Sequence, residues 1–452
     1  MVYSIIQKSQ LEGATRLDAE YYQPEFLELD KKINKFKNYL LKEIIFKFSS
    51  GKNLEQTEYS DKLPKFIRTQ NVRPIIIDKN GLSSLSQKEK NYPRLSEGDL
   101  LFVRVGEGVG NSSVVTPEFK ESSFSDNVIR SRVEKLDPYF VSIFLNSRLG
   151  YLYWERVSKG TARSLVSSEN ISSIRIPFLG KDIEKYCKEI ILQASDLLKD
   201  GENLYWQAED LLSEEFKINN GNNKKSFVVK FPDIEEAGRM DAEYFQPKYY
   251  ELIKQIKENC NGAKLGDLVT IKKGFEPGAE EYKEEGRLFI RVSTLSKNGI
   301  NLTEEKYLSE KLYEELKKDY EPNKGEILLS KDATPGIAYV VKDDIEGIIS
   351  GGILRLQLKN KDVEDEYLTL CLNSIVGQMQ AERDAGGSVI AHWKPEQIKN
   401  VIIPILPKEK QQKITSLIRE SFAARVKAKE LLEEAKRKVE EMIEKGGDKN
   451  DS

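Results

Sequence analysis

The chain has 452 residues, 39% hydrophobic and 32% charged, and a net charge of −3. That length exceeds one ordinary core and, at roughly 150 residues per domain, implies two to four units. The charge balance excludes a protein coated in positive charge; no apolar run approaches the ~18 residues of a membrane span, and Cys187, Cys260 and Cys371 form neither a disulfide framework nor paired zinc ligands.

The opening residues, MVYSIIQKSQLEG, hold no basic leader followed by a long apolar stretch, so a cytoplasmic location is expected. From Arg16, RLDAEYYQPEFLELDKKI is matched at a shift of 223 by RMDAEYFQPKYYELIKQI from Arg239, with eleven of eighteen positions identical. Pro24 and Pro247 suit the first turn of a helix, and Arg16, Asp18, Arg239 and Asp241 are placed to anchor it, a structural or docking role. Downstream, FIRTQ at Phe66 faces FIRVS at Phe289, and GDLLFVRVG from Gly98 faces GEILLSKDA from Gly325. Asn146-Ser147 faces Asn373-Ser374, and RIPF from Arg175 faces VIIPI from Val401. The chain therefore reads as a tandem duplication.

Within each copy, LLFVRV, SSVVT and VIRSRV, and their partners EILLS, AYVVK and ILRLQL, are short β-rich runs bounded by Gly, Pro and Asp. YFVSIFLNSRLGYLYWERV and EYLTLCLNSIVGQMQAERD carry helical spacing, so each copy is an α/β unit. Each copy closes on a long helix. In the first, Ile183, Cys187, Ile190, Ala194, Leu197, Gly201, Leu204, Ala208 and Leu211 keep a 3.5-residue period. In the second, Ile414, Ile418, Ser421, Arg425, Ala428, Leu432, Ala435, Val439 and Met442 do the same, which predicts an antiparallel coiled coil with a pseudo-twofold relation. The polar stretch KINNGNNKKS at 217–226 reads as the link between copies.

Catalytic signatures are missing from the sequence. A single histidine, His392, excludes a triad repeated in both copies and a two-histidine metal site. No GxxxxGK[ST] loop and no Asn-Pro-Pro-aromatic tetrapeptide occurs, and the glycine-rich run at Val105–Gly110 leads into the strand-like NSSVVTPE instead of opening a helix. No catalytic, cofactor or metal site is expected.

Binding must then come from local clusters. Residues 41–175 hold 21 Lys/Arg against 16 Asp/Glu, a net of +5, whereas 264–403 hold 20 against 25, a net of −5. Arg68 and Arg291 sit at equivalent points after Phe-Ile, and Arg104 and Lys331, the latter followed by Thr334, at equivalent points in glycine-bearing loops. Such side chains contact guanine edges or phosphates. Two further equivalent segments, Lys159–Ser167 and Gly386–Lys394, offer Lys159, Arg163 and Ser164 in one copy and His392, Trp393 and Lys394 in the other. They differ strongly, as two modules reading different sequences would.

These features resemble the specificity subunits of Type I restriction-modification enzymes. The resemblance covers nearly the whole length and rests on the R-[LM]-D-A-E-Y-[YF]-Q-P box opening each half, on GDLLFVRVGEGVGNSSVV at Gly98–Val115, and on IPILPKEKQQKI at Ile403–Ile414. The second copy departs from the loop motif, with Asp332 and Ala333 where Val105 and Gly106 stand, and the first copy's IPFLGKDIEKYCKEI lacks the glutamine of the third motif. The resemblance implies target-recognition domains at 1–177 and 227–405, spacer helices at 178–218 and 406–446, a linker at 219–226 and a disordered tail at 447–452. It further implies a non-catalytic chain with a split double-stranded DNA site, two methyltransferase subunits and restriction-translocase subunits as partners, and self-association when alone. The alternatives from the residues themselves are a single-chain restriction or modification enzyme, and a coiled-coil adaptor that does not touch DNA.

Overall fold

A computed structural model describes residues 4–7, 18–54, 57–58, 63–85, 92–105, 108–158, 167–215, 227–301, 306–385 and 391–446. The mixed α/β class is as expected. The linker at 219–226 and the tail at 447–452 lie outside the described residues. Two compact units divide the chain: Met1–Lys199 with Ala424–Ser452, and Asp200–Ala423. The division falls inside both long helices, not at their ends as the sequence boundaries have it, because each helix gives one part to each unit's core.

The principal elements of the first unit are α1 (Pro24–Ile33), β1 (Asn38–Leu40), β2 (Ser49–Ser50), β3 (Lys65–Ile67), β4 (Asp99–Val103), β5 (Ser112–Val114), β6 (Ser123–Phe124), β7 (Val128–Arg132), α2 (Pro138–Leu145), α3 (Arg148–Ser158), β8 (Arg175–Pro177) and the long α4 (Lys181–Ser213). Pro24 opens α1, and Phe26, Leu29 and Ile33 bury one face at spacings of three and four. Four strands form an antiparallel sheet in the order β2-β7-β4-β5. Strand β4 is buried along its whole length. Its alternating side chains serve two cores: Leu100 and Phe102 join one, Leu101 and Val103 the other. Burial on both faces explains why this stretch reads as an unbroken apolar run. Strand β3 pairs in parallel with β6, and β1 antiparallel with β8.

The second unit repeats the order: α5 (Pro247–Asn259), β9 (Asn261–Lys264), β10 (Val269–Lys273), β11 (Arg287–Ile290), α6 (Glu310–Tyr320), β12 (Ile327–Ser330), β13 (Ala338–Val340), β14 (Gly347–Ile349), β15 (Ile353–Leu358), α7 (Asp365–Asn373), α8 (Ile375–Ala385), β16 (Ile402–Ile405) and the long α9 (Lys408–Lys445). Its antiparallel sheet runs β10-β15-β12-β13, β11 pairs in parallel with β14, and β9 pairs with β16. Helix α6 is an addition, covering a small separate core of Phe289, Leu308, Tyr313 and Ile348.

The paired Asn-Ser residues hold equivalent joints. Asn146 Nδ2 donates to the Ser112 carbonyl at 2.8 Å and Asn373 Nδ2 to the Ala338 carbonyl at 2.8 Å, tying each helix pair to an outer strand of its sheet. The helices then turn so tightly that a Cβ on Gly150 would stand 2.1 Å from the Phe144 carbonyl oxygen, and one on Gly377 2.2 Å from that of Leu372.

Each long helix was expected to bury a 3.5-residue seam. In α4 the buried apolar positions and glycine are Ile183, Cys187, Ile191, Ala194, Gly201, Tyr205, Ala208 and Leu212, so Ile190, Leu204 and Leu211 yield the deepest places to their C-terminal neighbours. In α9, Ile443 is buried and Met442 is 36% exposed. The 3.6-residue turn of a straight helix makes the buried stripe drift from a strict heptad. Within the second unit the two helices run antiparallel: Ser421 Oγ donates to the Gly201 carbonyl, and Lys410 bonds Glu215. Within the first, Ile183 to Ala194 share a core with Ala428 to Ile443.

Candidate nucleic-acid interface

In both units, strand ends and short turns place the candidate residues. Arg68 follows β3 and is half-buried; its backbone N–H donates to Asn71 Oδ1 at 3.0 Å. Asn71 is itself buried and donates to the carbonyls of Asp78 and Asn80 at 3.0 and 2.9 Å. Arg291 follows β11 in the same way, half-buried, with its N–H on Thr294 Oγ1 at 3.2 Å. These bonds fix a one-turn 3-10 segment that aims the chain away from the strand.

A second turn lies beside each. Ser125 N–H donates to the Ile67 carbonyl at 3.0 Å, and two residues on, the Asn127 carbonyl accepts from Arg104 N–H at 3.0 Å. In the other unit Ser350 N–H donates to Ile290 at 2.8 Å, and the Gly352 carbonyl accepts from Lys331 N–H at 2.9 Å. The turn between β6 and β7 thus bonds both the end of β3, which leads to Arg68, and Arg104, and the turn between β14 and β15 bonds both the end of β11, which leads to Arg291, and Lys331.

The loop tips differ in chemistry. Arg104 is exposed and Val105 is 39% exposed, so both present side chains outward. Lys331 is only 4% exposed, with Nζ 2.5 Å from Asp332 Oδ2. That corrects the expectation of Lys331 as a phosphate anchor: its ammonium is engaged inside the loop. Ala333 takes a left-handed φ of 57°, and Thr334 beyond it is exposed, its N–H donating to the Asp332 carbonyl at 2.6 Å. Holding a non-glycine residue there costs of order 1 kcal/mol, offset by the Ala333 N–H bond to the Ala391 carbonyl at 3.1 Å.

That bond ties the loop to the second expected segment. Trp393 N–H donates to the Lys331 carbonyl at 2.8 Å, and exposed His392 sets its Nδ1 against Asp332 Oδ1. Lys394 is exposed, with its N–H on Gln397 Oε1 at 3.1 Å. Trp393 corrects the reading of a base-stacking side chain: it is fully buried, its Nε1 reaching Asp384 Oδ2 at 3.4 Å. A large ring gains more from the core than from an open edge. Lys159, Arg163 and Ser164 lie outside the described residues. Asp332 was not among the candidates; its signal was an acid standing opposite Val105 in an otherwise matched loop.

The opening box of the second unit acts as an anchor, whereas Arg16 of the first lies outside the described residues. Arg239 grips Asp241 through two nitrogens at 2.7 and 2.8 Å and donates to the Asp384 carbonyl at 2.9 Å, beside the carboxylate that meets Trp393. The hydrogen bonds from Arg239 hold the Asp241 carboxyl below its ordinary range. In the first unit, buried Arg156 bonds the Tyr21 carbonyl and Asp30 and lies 4.1 Å from the Tyr21 ring centroid. Among the described residues no group of three or more His, Cys, Asp or Glu is placed to hold a metal ion, and no helix is long and apolar enough to cross a membrane.

Residues 257–431, which include the second unit's turns and the start of α9, match the family model of the Type I restriction modification DNA specificity domain. The chain carries a Type I restriction-modification DNA specificity domain. With this domain comes its function, the sequence specificity of such a system toward DNA. Among solved structures, the chain is similar to the S subunit of a Type I restriction-modification system from M. genitalium, at 12% identity and a TM-score of 0.41, covering 90% of this chain and 95% of that one. It is also similar to the HsdS subunit from Thermoanaerobacter tengcongensis, at 15% identity and a TM-score of 0.29, covering 92% and 97%. No curated protein matches the chain.

Proposed function

We propose that this chain is the sequence-reading subunit of a Type I restriction-modification complex. Each unit reads one half of a split double-stranded DNA site, and the chain scaffolds two methyltransferase subunits, which restriction-translocase subunits join for cleavage. The chain does no chemistry itself and works in the cytoplasm. The observation that carries this reading is the repeated arrangement. The same strands and turns, built twice, carry Arg68 and Arg104 in one unit and Arg291, Thr334, His392 and Lys394 in the other. A protein that neither flips nor modifies bases needs only base-reading side chains, phosphate anchors and a frame to hold them.

Titrating the full chain with duplex DNA at rising salt should give a negative slope of log affinity against log salt, because phosphate contacts release counterions. Arg104→Ala should weaken site binding by about 10-fold, and the pure chain should not consume S-adenosylmethionine. Salt-independent binding or methyl transfer by the chain alone would refute the proposal.

A further inference from the structure

We propose that Asp332 reads a base in the second unit's half-site, selecting a nucleotide that presents an exocyclic amino group in the major groove. The inference rests on the DNA-specificity reading above and adds the chemical kind of base recognised. In the first unit the loop dipeptide is Arg104-Val105, an outward hydrogen-bond donor followed by an outward apolar side chain. The second unit has Lys331-Asp332 there, and the roles change. Lys331 turns inward, and Asp332 becomes the charged group of the dipeptide that reaches solvent.

Asp332 is held as a reading group must be. Lys331 Nζ engages Oδ2, His392 Nδ1 engages Oδ1, and the Asp332 backbone bridges to that of His392. On the remaining side a Cβ added to Gly352 would lie 3.5 Å from Oδ2, so the turn leaves room for the carboxylate but little for movement. The side chain is 29% exposed.

An ionised carboxylate only accepts, with about four lone-pair sites on its two oxygens. The loop uses one on each oxygen, which leaves acceptors free. Facing DNA, an acceptor is matched by cytosine N4 or adenine N6 and opposed by guanine O6 and N7 or thymine O4. Lys331 also offsets the carboxylate's charge, easing its approach to a polyanion. By the same logic Arg104 suits guanine, and Val105 the methyl group of thymine. The two half-sites should therefore differ in kind at matching loop positions.

The test is selection of bound duplexes from a randomised DNA library by the full-length chain, followed by sequencing, for the wild type, Asp332→Ala, Asp332→Asn and Arg104→Ala. In the wild type, one position of one half-site should carry adenine or cytosine on the contacted strand. Asp332→Ala should lower the preference at that position by about 10-fold, leaving the other half-site intact. Asp332→Asn keeps the shape and its amide oxygen can still accept from Lys331, so it should change the preferred base at that same position, because an amide also donates. An unchanged motif in Asp332→Ala, while Arg104→Ala relaxes the other half-site, would overturn the inference and leave the DNA-specificity reading standing. Loss of the whole second half-site in both Asp332 variants would make the residue a loop support, overturning it too. A wild-type chain with no sequence preference would sink both.

Discussion

At the scale of single residues, charge pairs in the second unit show how burial and partners decide protonation. Glu366 at the start of α7 is 3% exposed and meets Arg419 at 2.9 and 3.0 Å and Lys342 at 2.5 Å. Burial opposes its charge, but hydrogen bonds from Asp365, Arg419 and Lys342 outweigh that and hold its carboxyl well below the usual range. Its neighbour Asp365 is pushed up to about 6, by burial first and then by Glu366. A carboxyl whose folded pKa is raised contributes stability at low pH that is lost as pH rises through about 6. Asp365→Asn should therefore raise the melting temperature by about 2–4 °C at pH 8 and leave it nearly unchanged at pH 4, as thermal melts at the two pH values would show. Glu366→Gln should do the opposite at pH 8. It leaves Arg419 and Lys342 without their carboxylate, at a cost of about 1–3 kcal/mol once their partial exposure is allowed for, measurable by urea unfolding.

At the scale of elements, the tight joint between two short helices occurs once in each unit. At Gly150 and Gly377 the preceding helix's carbonyls occupy the space of a side chain. Gly150→Ala and Gly377→Ala should each destabilise their own unit by about 1–3 kcal/mol through overpacking. Limited proteolysis should then show cleavage confined to the altered unit, and equal sensitivity of both units would contradict the placement. The joint was visible in the sequence only as matched Asn-Ser pairs, whose task became clear once each amide was seen bonded to an outer strand. Helix and strand type were legible from periodicity and β-branched runs, whereas the depth of individual helix positions was not. Ile191, Tyr205 and Leu212 lie deeper than the neighbours the heptad favoured, because burial follows the real helical turn and the shape of the partner.

At the scale of the whole molecule, we propose that α4 and α9 set the spacing between half-sites. Four residues add about 6 Å to a helix while keeping its apolar stripe nearly in phase. Matched four-residue insertions near Gly201 and Ser421, which pack together, should lengthen the unread gap by about two base pairs, given a DNA rise of about 34 Å per ten pairs. Sequencing the methylated sites of cells that carry the variant complex would show this, and an unchanged gap would mean that the helices do not measure it. The duplication, the α/β class, the long helices and the likeness to specificity subunits all followed from the sequence by itself, because they rest on local periodicity and on comparing one half with the other. Only the tertiary structure decided which polar side chains face outward. Trp393 and Lys331 carry residue types suited to DNA, yet one fills a core and the other neutralises a loop carboxylate, while Asp332, which composition would discount at a DNA interface, reaches solvent. The physical reason is that a side chain's chemistry is local, but its exposure depends on what the rest of the chain packs around it.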